Sequence, residues 1–354
     1  MAAGHRRKRL AWGTLLFAVD FATYLALLAG VCLLPGMWLK GTCAIAAGLI
    51  VGRLFGLAHD AAHDNLTPSS RLNRWIARLS FAPALTPLTS WVTDHHICHH
   101  AQLRVRGKDV TWPPLGLGEY RARSAWGRLW YRFLRTPPGM GFYWVFEYWW
   151  PILFFPRAEQ LGRRRASFRR DRLLVCGFVV SLWVGMLALA RSAEGLGWVE
   201  PVKPAGALAL AVAIPFLVWA TISGVIDYVT HTHPRAVWFA DKSEWTYRDG
   251  VRNTPHVVFP FGLNRLMHNF FDHTAHHVDP RIPLYRLPAA QLELEAAFPG
   301  EAVIERFTLG YFLRLLRVCR LYDFERHCWL DYDGTPSTVP QPLAPGVGGG
   351  PPVG

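Results

Sequence analysis

The chain has 354 residues, 51% of them apolar and 14% aromatic, with a formal net charge of +13. That apolar share exceeds what a soluble fold needs and points to a membrane. Six scattered cysteines, Cys32, Cys43, Cys98, Cys176, Cys319 and Cys328, form no Cys-x-x-Cys pair, which argues against both a disulfide framework and a thiolate zinc site.

In chain order, a basic cluster (Arg6, Arg7, Lys8, Arg9) precedes a first apolar run over 10–34. No small-residue cleavage site is evident before Pro35, so an uncleaved anchor is expected rather than a signal peptide. Further runs cover 41–58, 173–190 and 205–229, each near the roughly 20 residues that a helix needs to cross hydrocarbon. Lys40 and Arg53 near the ends of the second run are expected to snorkel to the interface, whereas Asp20 inside the first is uncomfortable. Two apolar stretches of the middle loop, 79–92 and 142–155, are short or rich in Trp and Pro, as helices lying on the bilayer are. The Pro/Gly-rich segment 335–354 is expected to be a disordered tail after one domain over 1–334.

Basic residues crowd the amino terminus and the 71–172 loop, whereas the other two links carry only Lys40, and Arg191 with Lys203. The positive-inside rule then puts both termini and the middle loop in the cytoplasm. Because the arginines flank spans, anionic lipid or an acidic protein explains the charge better than nucleic acid. The expected fold is an all-α integral membrane protein: four transmembrane helices, interfacial helices and a cytoplasmic histidine-rich cap.

Twelve of the 15 histidines fall into four groups. These are His59 with His63; His95, His96, His99 and His100; His231 with His233; and His268, His273, His276 and His277. Spacings of three and four put imidazoles on one helical face. So many exceed what one four-coordinate zinc uses, and imidazole suits iron, copper, zinc or nickel, so two metals are expected. A single His-x-x-x-His is commonly incidental, but four groups on one side of a membrane are poorly explained by chance. Asp60 stands where a zinc protease would carry its glutamate base, which counts against that chemistry. His233 and His256, near prolines, read as surface residues. His5 and His327 receive no role.

The series His59-x-x-x-His63, His95 or His96 through His99-His100, and His273-x-x-His276-His277 resembles the three histidine boxes of the membrane fatty acid desaturase superfamily. The likeness runs from about His59 to Gly334. The stretches 106–112, 231–234, 282–285 and 321–331 resemble the bacterial acyl-lipid omega-6 (delta-12) branch in particular. This resemblance implies two non-haem irons, O₂ as co-substrate, electrons from ferredoxin or a cytochrome, and a cis double bond placed in the acyl chain of a membrane lipid. It assigns His59, His63, His99, His100, His273, His276 and His277 as ligands, leaves box two open between His95 and His96, and adds His231 and His268 as candidates. Asp60, Asp94, Asp227 and Asp272 are candidates to orient the rings. Hydroxylation or ketolation of a lipid or carotenoid on the same scaffold is the nearest rival. A metal-binding transporter is the rival of another class; it predicts polar or charged residues lining the spans, whereas the histidines are expected outside them.

Overall fold

In hydrocarbon every peptide N–H and C=O must be satisfied within its own segment, so the four apolar runs close into helices. The computed structural model describes residues 3–195, 197, 202–246 and 249–343. Its helices, in chain order, include α1 (Leu10–Leu33), α2 (Met37–Ala62), α3 (Ser70–Phe81), α4 (Leu88–Val92), α5 (Ala125–Leu134), α6 (Arg165–Gly195), α7 (Ile214–His231), α8 (His273–Val278) and α9 (Leu287–Ala297). Four helices are long and apolar enough to span a membrane: α1, α2, Ala158–Gly195 and Pro204–His231. Their outward side chains, such as Leu15, Ile45, Val180 and Leu217, are about half exposed, which suits contact with lipid. The protein is an all-α integral membrane protein, with four short strands paired into two two-stranded sheets among the described residues.

The spans outrun the sequence reading where charge begins. With 31 residues, α6 is about 46 Å long, against about 30 Å of hydrocarbon. Its first turns carry Arg165, Arg169, Arg170, Asp171 and Arg172. A hydropathy scan stops at those charges, but the backbone ladder continues through them.

The described residues fold into two compact units that alternate along the sequence, one drawn from 7–93 and 144–223, the other from 3–6, 94–143 and 224–343. In the first, α1 and α2 turn back at Gly36, whose φ of +74° suits glycine. Lys40 does not snorkel: it is buried, and its Nζ donates to the carbonyls of Val31 (3.0 Å) and Cys32 (3.4 Å), closing the end of α1. Arg53 likewise turns inward, and its Nη2 meets Asp20 Oδ1 at 2.8 Å, so the awkward acid of α1 is paired with the awkward base of α2. Beyond α2, Asn73 donates to Asp64 Oδ1 (2.9 Å) and accepts from Thr67 N (2.9 Å), a buried knot that fixes the chain leaving His63. Asp171 of α6 accepts from Arg78 Nε and from Thr89 N, both at 2.9 Å, so α6 supplies the cap for α4. A π-helical segment, Tyr143–Phe154, packs back on this region, with Trp149 Nε1 on Leu85 O (2.9 Å) and Ser90 Oγ on Leu153 O (2.6 Å).

The second unit is built from short helices on an aromatic core. Trp112 stacks on Tyr143 with ring centroids 3.7 Å apart and packs edge-on to Tyr228. Strands β1 (His256–Val258) and β2 (Ile304–Arg306) pair in parallel, and β3 (Leu321–Asp323) pairs antiparallel with β4 (Cys328–Leu330). In α5, Tyr131 and Leu134 face inward while Trp126 and Leu129 are exposed beside Arg128 and Arg132, the make-up of a helix lying in the membrane interface. The segment expected to be a disordered tail is partly structured: Ser337 N donates to Trp329 O (2.9 Å) and Gln341 N to His327 O (3.0 Å). Residues 344–354 lie outside the described residues.

Two substitutions test these contacts. Asp20→Leu leaves Arg53 without its carboxylate and is expected to cost about 3–5 kcal/mol; adding Arg53→Leu restores most of the melting temperature in detergent. Gly224→Val is expected to lower both melting temperature and metal content, because even a Cβ there would stand 2.3 Å from Met140 O.

Candidate metal centre

The second unit gathers seven histidines from three places. After α4 the helix widens into a π-helical turn over Thr93–His99, followed by a 3₁₀ turn over His100–Gln102. Residues five apart stand about 140° from each other in an α-helix, yet here His95 Nε2 and His100 Nε2 meet at 3.0 Å. The same turn sends the adjacent His99 elsewhere. In α8, His273 and His277 share a face, and His231 closes α7.

His99, His231, His273 and His277 form one group, all four buried. Their Nε2 atoms converge, with His99 to His277 at 3.2 Å, His99 to His231 at 3.1 Å, His231 to His273 at 3.2 Å and His273 to His277 at 3.0 Å. Ligands about 2.1 Å from one ion lie roughly 3.0–3.4 Å from each other at octahedral to tetrahedral angles. His95, His100 and His276 form a second group, with His276 Nε2 3.1 Å from His100 Nε2. The groups adjoin: the rings of His100 and His277 stack with centroids 4.5 Å apart.

Hydrogen bonds at the far nitrogen fix which atom faces inward. His231 Nδ1 lies 3.0 Å from the backbone carbonyl of Asp227, which only accepts, so the proton is on Nδ1 and the Nε2 lone pair points into the group. His99 Nδ1 lies 3.0 Å from Asp109 Oδ1 and orients in the same way. Asp109 is itself held by Arg104 N (2.8 Å) and Thr111 N (2.9 Å). Two lone pairs thus face each other 3.1 Å apart. A single proton can bridge one such pair, but four converging nitrogens fit a metal ion.

Electrostatics favour ligation by three of these rings and oppose it at His99. Burial, reinforced by neighbouring imidazoles, pushes His273 down to about 3 and His276 and His277 well below the usual histidine range, which keeps them neutral and able to ligate. Burial also pulls His99 down, but the Asp109 carboxylate outweighs it and leaves the ring above its ordinary value.

The remaining histidines are placed as follows. In the first unit His59 and His63 end α2 one helical turn apart, rings 4.9 Å from each other and 5.2 and 6.0 Å from Trp91. The two groups of the second unit include neither His96, half-buried with its ring 6.1 Å from that of His95, nor His268, which is buried with φ +56°. His233 and His256 are not surface residues. His233 is buried against Glu305 of β2 (3.1 Å), and His256 bridges Glu295 of α9 (2.6 Å) and Asp272 (3.2 Å). Their acidic partners lie far along the chain, where no local pattern reveals them. His5 bonds Glu293 (2.7 Å), and His327 bonds Trp238 O (3.2 Å). Of the four aspartates singled out, Asp227 holds His231 by its carbonyl and Asp272 accepts from Asn264 Nδ2 (3.0 Å), while Asp60 and Asp94 are buried. The site residue that the sequence reading left without a role is Asp109, ten positions after His99, although it lies in the 106–112 stretch that carried the family resemblance.

Comparison with known proteins places these features in context. The fatty acid desaturase family model matches residues 35–308. The chain is 26% identical over 297 residues to the sn-1 oleoyl-lipid 12-desaturase of Synechocystis sp., covering 82% of this chain and 77% of that protein. It is 26% identical over 253 residues to the sn-1 acyl-lipid omega-3 desaturase (ferredoxin) of the same organism, covering 69% and 64%. A fatty acid desaturase of Bacillus subtilis is 29% identical over 250 residues, covering 70% and 65%. The chain therefore spans under two thirds of the length of the latter two.

Asp109→Asn is expected to leave the fold intact and to lower metal affinity about 10–100-fold, the usual effect of losing a ligand's orienting partner. Chelator competition followed by metal analysis measures this, and an unchanged affinity would show that His99 is oriented without the carboxylate.

Proposed function

Because the chain belongs to the fatty acid desaturase family, we propose that it is an O₂-dependent di-iron desaturase that introduces a cis double bond into the fatty acyl chain of a membrane lipid. The observation that carries this reading is the pair of adjoining imidazole groups, with His273, His276 and His277 kept neutral by burial and the inward lone pairs of His99 and His231 set by Asp109 and the Asp227 carbonyl. One iron takes His99, His231, His273 and His277. His95, His100 and His276 would hold the other, and the family resemblance adds the box-one pair, His59 and His63, as ligands. His95 is then the box-two ligand, and His96 and His268 stand outside both groups. When bound, the irons supply the oxidising power to remove hydrogen from an unactivated methylene, which protein side chains lack.

The chain's own residues do the rest. The lipid-facing spans admit the acyl chain from the bilayer, and buried Trp91, beside both His59 and His63, keeps water from that pair. Overall, two hydrogens leave adjacent carbons and join O₂, two external electrons and two protons to give two waters. Ferredoxin, named in one relative, or a cytochrome supplies those electrons, and the basic segments offer it a docking charge. The omega-6 (delta-12) position is favoured by the first relative quoted above, the bacterial relatives favour a bacterial inner membrane, and the basic loops favour termini and site on its cytoplasmic side.

Expression with a ferredoxin and its reductase, followed by lipid analysis, tests this. The expected product is an acyl chain lighter by two hydrogens, absent with His99→Ala or His277→Ala; a chain heavier by one oxygen would instead identify a hydroxylase.

A further inference from the structure

The first unit holds a cavity that the oxidation chemistry leaves without a task. It is an open groove of about 470 Å³ between the carboxyl end of α2, α3, α4 and the start of α6, with Ser70, Arg74, Arg164 and Ser167 on its wall. A narrower cleft shares Arg78, Leu88 and Asp171 with it and continues past them between Trp75, Leu79, Leu174, Val175 and Phe178. One cavity is basic and hydroxyl-lined, and the other is apolar.

The acids in the basic cavity are already committed. Asp171 accepts from Arg78 Nε and Thr89 N, and Asp64 accepts from Ser70 Oγ (2.6 Å) and Asn73 Nδ2 (2.9 Å). Arg74 and Arg164 are exposed, and Arg164 spends only one donor, on Thr93 Oγ1 at 3.2 Å. The helix that forms one wall adds Arg165, Arg169, Arg170 and Arg172. The local field therefore selects an anion. The adjoining cleft lies where α6 turns from arginine to the apolar run beginning at Leu173, which is the level at which lipid headgroup gives way to acyl chain.

We propose that these two cavities form one binding site for a phospholipid, its phosphate between Arg74 and Arg164 and one acyl chain along Trp75, Leu79, Leu174 and Phe178. Arginine suits the phosphate because its fork donates two parallel hydrogen bonds to adjacent oxygens. The Arg78–Asp171 pair forms the sill between headgroup and chain. The site needs neither bound metal nor turnover, so it stands or falls apart from the reaction proposed above.

Binding to the delipidated full chain in detergent micelles, followed by native mass spectrometry, tests it with three probes. These are palmitoyl-oleoyl phosphatidylglycerol, a galactosyl diacylglycerol with the same chains but no phosphate, and glycerol 3-phosphate, which has the anion and no chain. The expected result is that phosphatidylglycerol binds about tenfold or more tighter than either comparator. Arg74→Gln with Arg164→Gln removes that preference, Leu174→Asn weakens phosphatidylglycerol but leaves glycerol 3-phosphate unchanged, and Arg163→Gln, exposed outside the cavity, changes nothing; melting temperatures confirm that each variant folds. Equal binding of the galactolipid would overturn charge recognition, equal binding of glycerol 3-phosphate would make this a free-anion site, and undiminished binding by the double arginine variant would place the lipid elsewhere. Each of those results rejects the proposal.

Discussion

Mutual repulsion of unshared electron pairs is the constraint on which this molecule turns. Four Nε2 atoms lie 3.0–3.3 Å apart in a buried pocket, an arrangement that is unfavourable unless positive charge sits among them. The scaffold enforces it through side chains and carbonyls that grip the outer nitrogens, above all Asp109 on His99 and the Asp227 carbonyl on His231. A flexible site would relax by turning the rings away. Here burial, the aromatic core around Trp112 and Tyr228, and the close approach of Gly224 to Met140 hold the elements still.

The same logic governs the polar groups of the spans. Asp20 and Arg53 are each costly in an apolar setting, and as a hydrogen-bonded pair they become a fixed point between α1 and α2. Lys40 gives its charge to carbonyls that would otherwise end α1 unsatisfied. Neither Lys40 nor Arg53 escapes to water, although snorkelling was the natural reading from sequence, because the partner in each case, backbone carbonyls for Lys40 and the Asp20 carboxylate for Arg53, lies on the neighbouring helix.

What was legible in the sequence was whatever repeats or runs: four apolar stretches gave four spans, and clustered histidines marked the centre. What was hidden depends on contacts between distant residues. Nothing local distinguishes His233 or His256 from a loop histidine, since Glu305, Glu295 and Asp272 become their partners only on folding. The π-helical turn at Thr93–His99 was equally invisible, because helical spacing in a sequence is counted as if every turn were regular. The extent of α6 was missed because charge marks the edge of hydrocarbon and not the end of a helix.

That wide turn has a mechanical corollary. His99 and His100 are consecutive residues, yet they belong to different imidazole groups, so one rigid peptide plane joins the two halves of the centre. Anything that tilts this plane to suit one half displaces the other, and the pair behaves as a single hinged lever instead of two separate sockets. Ordering either half therefore pre-orders its neighbour, at no further entropic cost for the linking bond.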